Sequence, residues 1–402
     1  AQPFVLLRFV HPTLFQPWVI VWALWMSMSS LAREDGDGIG THSRLAFLAP
    51  IAVAAVLEPY LAVMVTPIMF APSLFRFRST WRETSLRAVS AAATVIGISL
   101  TLGYIGTSGR NTASGFGSYS ADLAFLVDSG DRSKVVPDIE SFMTFEGNGF
   151  VGIGALTVIV IAIIWYAFLS RTGASRPIPP FRLWPLAAVV LTLAMYAFLP
   201  ELRLFGWHLV GGETVTEMLG PVAKVIRANG RFIWPASWLV CLIAFGFVLR
   251  HASESAAAII LAGAALLQVA DIKNVEIPAV VDTYAQTAAP ILEARSHGVR
   301  RIDIEPPWIT GECQPDVWVD FDRLGEVIVA AAVLRVPVNA GYPSRGSEEL
   351  FSEICAGDAN DYNTGHFMDD VLYIIPLTLP PSDPSMHCQQ LPREILACRY
   401  AP

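Results

Sequence analysis

Apolar residues fall in seven long runs along this chain: Thr13–Ala32, Leu45–Pro72, Leu86–Gly106, Gly149–Leu169, Leu183–Leu199, Phe232–Leu249 and Ser255–Ala270. Most approach the ~20 residues that an α-helix needs to cross a ~30 Å hydrocarbon layer. The pattern predicts a polytopic α-helical membrane domain of about seven to eight spans, occupying residues 1–270. The count depends on the second run, which is 28 residues long and is interrupted by "VLEPYLAV" (Val56–Val63). Proline removes a backbone donor and breaks or kinks a helix. Two readings fit: one tilted, kinked span, or two short helices meeting inside the membrane. The second requires Arg33 and Arg44 on the cytoplasmic side.

Beyond Ala270 the hydropathy falls, and residues 271–402 read as a small soluble α/β domain of three to five strands. "VRRIDIEP" (Val299–Pro306), "VLYIIP" (Val371–Pro376) and "EILACRY" (Glu394–Tyr400) have strand character. "FDRLGEVIVAAAVLRV" (Phe321–Val336) has the spacing of a packed helix. "VPVNAG" follows it and fits a strand returning beside the first. Four cysteines lie in this part: Cys313, Cys355, Cys388 and Cys398. An even number in an outward-facing domain predicts two disulfides, with three possible connectivities. Cys313–Cys355 and Cys388–Cys398 are the favoured pairs, the second closing a short loop. Paired metal-ligand spacing is absent, so no metal site is assigned.

Composition sharpens this picture. The chain is 53% hydrophobic and 15% charged, against roughly a quarter charged in soluble domains. Residues 271–402 carry 20 acids and 9 Lys or Arg, a net of −11, so the remainder carries about +3 of the total −8. No basic patch suggests a nucleic-acid partner. Arg76, Arg78, Arg82 and Arg87 face one glutamate in the loop Ser73–Arg87, and Arg171, Arg176 and Arg182 stand without an acid in Ser170–Arg182. Positive loops stay on the cytoplasmic side. Loops 107–148 and 200–231 and the tail are therefore expected outside. Trp18, Trp165, Trp184 and Trp234, near span ends, read either as interfacial anchors or as packing between helices.

Candidate chemistry is sparse. The chain has no phosphate-cradling loop, no nucleophile elbow and no HExxH. Glu58 is costly in lipid, so it either serves a polar cavity or bonds backbone freed by the kink. Lys224, Arg227 and Arg231 stand just before a span and could grip a phosphate, or lipid headgroups without specificity. One external loop, Gly115–Gly154, has seven glycines and six acids.

"FVHPTLFQPWVIVWALWM", "LEPYLAVMV", "GFGSYSADLAFLVD", "FEGNGFVGIGAL" and "RANGRFIWP", in that order, resemble an uncharacterised bacterial branch of integral-membrane proteins with the GT-C glycosyltransferase architecture. "VPVNAGYPSR" in the tail is similar to the same branch. The resemblance implies a GT-C-like membrane domain in the bacterial inner membrane with a periplasmic tail. It implies transfer of a sugar from a polyprenyl-phosphate carrier on the outer side. His11, Glu58, Tyr60, Tyr119, Lys224, Arg227 and Arg231 become candidates for binding substrate or lipid phosphate. Asp122 and Glu146 become candidate acid or base groups, with Phe116, Tyr119 and Phe145 stacking on sugar rings and the loop glycines turning close to substrate; the alternative is that the loop is an ordered external cap without chemistry. The chain departs from the pattern in two places. No acidic external loop precedes His11, where such enzymes place their catalytic acid, and Glu58 stands where the family carries a histidine. The cofactor is unknown; a divalent metal enters only if residues preceding this sequence supply ligands. Membrane lipids and protein partners in a membrane complex are the other expected contacts. The alternative function is a non-catalytic scaffold or accessory subunit. A transporter is a weaker reading, since Glu58 is nearly alone within the spans and no repeat is evident.

The charge asymmetry places the tail outside. A cysteine introduced at Ser347 is expected to react with an impermeant maleimide on intact cells. Reaction only after permeabilisation would reverse the orientation.

Overall fold

In a computed structural model of the 402-residue chain, the residues described are 16–32, 44–75, 77–103, 120–138, 147–172, 180–211, 228–273, 298–305, 321–339, 367–378, 383–391 and 395–400, with single positions 116, 218, 226, 289, 291 and 293. The chain divides into two compact units, with the boundary at Val275/Glu276.

The first unit is helical: α1 (Trp18–Ala32), α2 (Arg44–Leu57), α3 (Pro59–Phe75), α4 (Phe77–Thr101), α5 (Ile153–Thr172), α6 (Pro180–Ala197), α7 (Trp234–His251) and α8 (Glu254–Asp271). A two-stranded hairpin, β1 (Glu201–Leu204) and β2 (Trp207–Gly211), follows α6, and a 3₁₀ turn (Asn229–Ile233) leads into α7. Four helical stretches are long and apolar enough to cross a membrane: Trp81–Thr101, Ile153–Thr172, Asn229–His251 and Glu254–Asp271. Four shorter apolar helices accompany them: Trp18–Ala32, Arg44–Leu57, Pro59–Leu74 and Leu183–Ala197.

The long second apolar run forms two helices. The helix ends at Leu57 and restarts at Pro59, whose missing N–H is no loss at a helix's first position. The Phe47 and Phe70 rings meet edge to face at 5.1 Å. These residues stand equally far on either side of the Glu58–Pro59 junction, so α2 and α3 double back as a hairpin. Arg44, at the open end of that hairpin, binds Glu83 at 3.0 Å, and Glu83 also accepts from Arg87. The open end thus joins the basic segment at the start of α4.

Helix α3 is the centre of the first cluster. Leu61, Met64, Val65 and Ile68 follow helical spacing and are fully buried, against α1, α2 and α6. Pro72 has no N–H to give the carbonyl of Ile68 four residues earlier. Ser27 of α1 donates to that carbonyl instead, at 2.6 Å. A second cluster joins α5, α7 and α8 through Val158, Ala162, Ala244, Val248 and Ala264. Helix α7 touches both clusters, with α1 and α6 on one side and α5 on the other.

The second unit holds a four-stranded sheet in the order β3-β4-β6-β5: β3 (Arg301–Ile304), β4 (Val371–Pro376), β5 (Met386–Leu391) and β6 (Ile395–Tyr400). Strands β3 and β4 are parallel and the other pairs antiparallel. Helix α9 (Phe321–Leu334) covers one face with Leu324, Val327, Ala330 and Ala331. After α9 the chain returns beside β3, pairing Val338 in parallel with Ile302, as the "VPVNAG" pattern predicts. Cys388 and Cys398 are direct cross-strand partners and form a disulfide. Cys313 and Cys355 lie outside the described residues. Cys241, in α7, is a buried free thiol.

The Ser27 bond supplies a donor that Pro72 withholds, so Ser27→Ala should leave an orphan carbonyl in an apolar interface. The expected loss is about 0.6–1.7 kcal/mol, the range for bonds between membrane helices, read from thermal unfolding in detergent. Ser27→Thr should retain most of it.

Candidate functional site

Glu58 sits at the closed tip of the α2–α3 hairpin. Its N–H donates to Ala54 O at 2.9 Å and its carbonyl accepts from Ala62 N at 3.2 Å, so it ends one helix and begins the next. Glu58 directly precedes the N-terminus of α3, where the helix dipole favours negative charge. The Arg231 guanidinium is 3.8 Å from that carboxylate and 4.7 Å over the Tyr60 ring. Both charged side chains are mostly buried. The sequence expectation brought Glu58, Tyr60 and Arg231 into one site, and these three meet.

The backbone around Arg231 is fixed from two directions. Tyr60 OH accepts from Ala228 N at 3.2 Å. Asn229 donates its amide to the carbonyls of Tyr196, Ala197 and Leu199. Tyr196 and Ala197 close α6 and Leu199 follows it, where the regular intrahelical donors run out. Tyr196 OH donates to Ile226 O at 2.9 Å, and its ring packs edge to face on Phe232 at 5.1 Å. Phe116, from the glycine-rich loop, lies 6.0 Å from the Tyr196 ring. The arrangement is a mostly buried, aromatic-supported cation paired with a carboxylate.

Where it is described, the glycine-rich loop is ordered by its own acids. Asp122 is buried and accepts three backbone N–H bonds, from Ala124 and Phe205 to Oδ1 and from Gly206 to Oδ2. Phe205 and Gly206 both have positive φ, forming the tight turn between β1 and β2. The carboxylate therefore clamps a strained turn rather than facing an open cavity. Further along, Asp271 at the end of α8 accepts from Ser133 Oγ at 2.7 Å and from the N–H groups of Lys134 and Val135. Lys273 pairs with Asp131. Its hydrogen bond, and then its charge, hold the exposed Asp131 carboxyl below the usual carboxylate value. This tie is present above the ordinary carboxylate range and is lost as pH falls through the lowered value.

The loop glycines meet protein. A Cβ on Gly154 would lie 2.1 Å from Ala264 O of α8, and one on Gly147 would strike the backbone of Ala121. Packing of α5 on α8 requires glycine at 154, and close contact between two stretches of the loop requires it at 147.

His11, Tyr119, Phe145, Glu146, Lys224 and Arg227 lie outside the described residues. Sequence reasoning passed over Asn229, Tyr196 and Asp271. Asn229 had a visible signal, a buried-type polar residue just before a helix beside Gly230. Asp271 looked like the first acid of a solvated tail.

A family model described as a domain of unknown function, DUF6311, matches residues 1–273. A second, the DUF6311 C-terminal domain, matches residues 291–399. No curated protein matches the chain.

The Asp122 geometry separates a clamp from an acid–base group. Asp122→Ala should speed amide exchange at Phe205 and Gly206 and destabilise the first unit by about 1–3 kcal/mol. Unchanged exchange there would remove the clamp assignment.

Proposed function

The chain belongs to the DUF6311 family across both of its units, and we propose that it binds a polyprenyl-phosphate-linked sugar and transfers the sugar on the outer side of the bacterial inner membrane. The observation that carries this reading is the Arg231 guanidinium held on Tyr60 beside Glu58, at the start of a membrane-length helix. A lipid phosphate needs a cation beside apolar surface, and this site supplies both. In an inverting transfer, Arg231 stabilises the departing phosphate and Glu58 takes the acceptor's proton. Asp122 has no such part, because backbone donors occupy its carboxylate.

Four helices have membrane length and four shorter apolar ones accompany them; a GT-C-like domain of seven to eight spans requires that the shorter ones cross as well. Charge distribution then orients them, with the basic Arg44–Arg87 end inside and the sheet-bearing tail outside. A disulfide between Cys388 and Cys398 is compatible with an oxidising, extracytoplasmic setting.

One observation favours the second reading, a non-catalytic scaffold. Three of the four described acids of the external loop hold structure: Asp122 clamps a turn, Asp128 bonds Gly130 N, and Asp131 is paired.

The two readings part on one measurement. With the protein in nanodiscs, Arg231→Ala is expected to weaken polyprenyl-phosphate binding by about 1.5–3 kcal/mol, the worth of hydrogen bonds to a charged group. Arg231→Lys should recover part of it. Unchanged binding in a folded Arg231→Ala protein would leave the scaffold.

A further inference from the structure

The β1–β2 hairpin is amphipathic in an unusual place. Its register pairs Leu202 with Val210, Arg203 with His208 and Leu204 with Trp207, with an irregularity between Leu202 and Arg203. Directly opposed residues share a face, and neighbours along a strand do not. One face therefore carries Leu202, Leu204, Trp207 and Val210. The other carries Glu201, Arg203 and His208, where Glu201 bonds both Arg203 at 2.6 Å and His208 at 3.0 Å. The polar groups are satisfied among themselves. Of the apolar ones, Leu202 at the start of the ribbon is half-buried against the first cluster, whereas Trp207 is 77% and Val210 73% exposed.

That exposure matches the lipid-facing helices of the same unit. Leu266 and Val269, on the last turns of α8, are 72% and 74% exposed. The hairpin starts four residues after α6 ends at Ala197, and its turn is clamped by Asp122. The same loop is tied through Ser133 to Asp271, at the end of α8. One hydrogen-bonded assembly thus holds the ribbon at the level where α6 and α8 terminate. Two-stranded ribbons are marginal in water without a covered face. Tryptophan is favoured where an apolar environment meets a wet one.

We propose that the apolar face of the β1–β2 hairpin, led by Trp207 and Val210, lies in the headgroup–acyl boundary of the bilayer as an interfacial anchor, with the Glu201–Arg203–His208 face toward water. The occupant is lipid, and the assignment does not depend on the sugar-transfer reading.

Bimane attached to single cysteines in the full chain, reconstituted in phosphatidylcholine–phosphatidylglycerol vesicles, tests this. The parent chain carried through the same labelling is the blank. Val210→Cys should show blue-shifted emission, strong loss with lipid bearing a shallow nitroxide, and little loss with aqueous iodide. Val269→Cys should behave alike. His208→Cys and Asp138→Cys should show the reverse, quenched by iodide. Iodide quenching at both Val210 and His208 would overturn the proposal. So would protection of Val210 from both quenchers, which would mean that protein covers the face. If Val210→Cys fails to fold, Trp207→Cys carries the same expectation and the same refutations.

Discussion

A carboxylate at the tip of a helical hairpin sets the arrangement of the whole first unit. Glu58 and Pro59 divide an apolar run that would otherwise make one overlong span. The division turns the chain back, so α3 can pack on α1, α2 and α6 together. It also puts a charge where lipid or protein must accommodate it, at a cost of about 2.5–3.5 kcal/mol for an acid at the centre of a membrane helix. Arg231 supplies the opposite charge at 3.8 Å, and Tyr60 supports the guanidinium from its other side. Removing either charge takes a counter-ion from the other, and breaking a buried pair costs far more than the pair itself is worth. The hairpin and the start of α7 are therefore bound to one another by chemistry and not only by apolar contact.

Much of this was legible in the sequence. Proline after a glutamate inside an apolar run marked the break, because proline's missing N–H acts locally. What the run could not reveal was whether the chain kinks or reverses, since that depends on partners elsewhere, such as Phe47 with Phe70 and Arg44 with Glu83. The tail's strands were legible for the same local reason: "VLYIIP" is a short, fully buried run, and it became the central β4. Strand β5, "MHCQQL", exposes four consecutive side chains and carries little strand signal. Its place in the sheet comes from pairing with β6 and from the Cys388–Cys398 link. The β1–β2 hairpin had a signal that a charge-based reading of loop 200–231 overlooked. "ELRL" alternates with period two, and Phe-Gly is a two-residue turn.

The acids of the glycine-rich loop show why residue type alone misplaces function. An Asp in a polar external loop reads equally well as a catalyst or as a structural acceptor. Burial decides, together with what surrounds the carboxylate. Around Asp122 those neighbours are backbone amides in a turn with two positive φ angles. The amides of such a turn point into one concavity, and a single carboxylate satisfies both.

These ties connect the loop to the charged pair without any of the loop's side chains having to enter it. Ala121 N donates to Ala197 O at 2.8 Å, and Leu123 N to Arg203 O at 2.9 Å. The same Ala197 carbonyl receives the Asn229 amide, two residues before Arg231. Loop, end of α6 and 3₁₀ turn thus share one carbonyl. A guanidinium on a long, flexible stem loses much of its rotamer freedom when it is held. Fixing its backbone through Asn229 and its planar head through Tyr60 lowers what would remain to be ordered on binding the proposed phosphate. Precision at Arg231 is then a property of the polar frame around the end of α6. This also explains why so apolar a chain keeps a long, acidic, glycine-rich loop at that level: the glycines let it lie flush on the helices, and its acids and amides hold the helix ends in register.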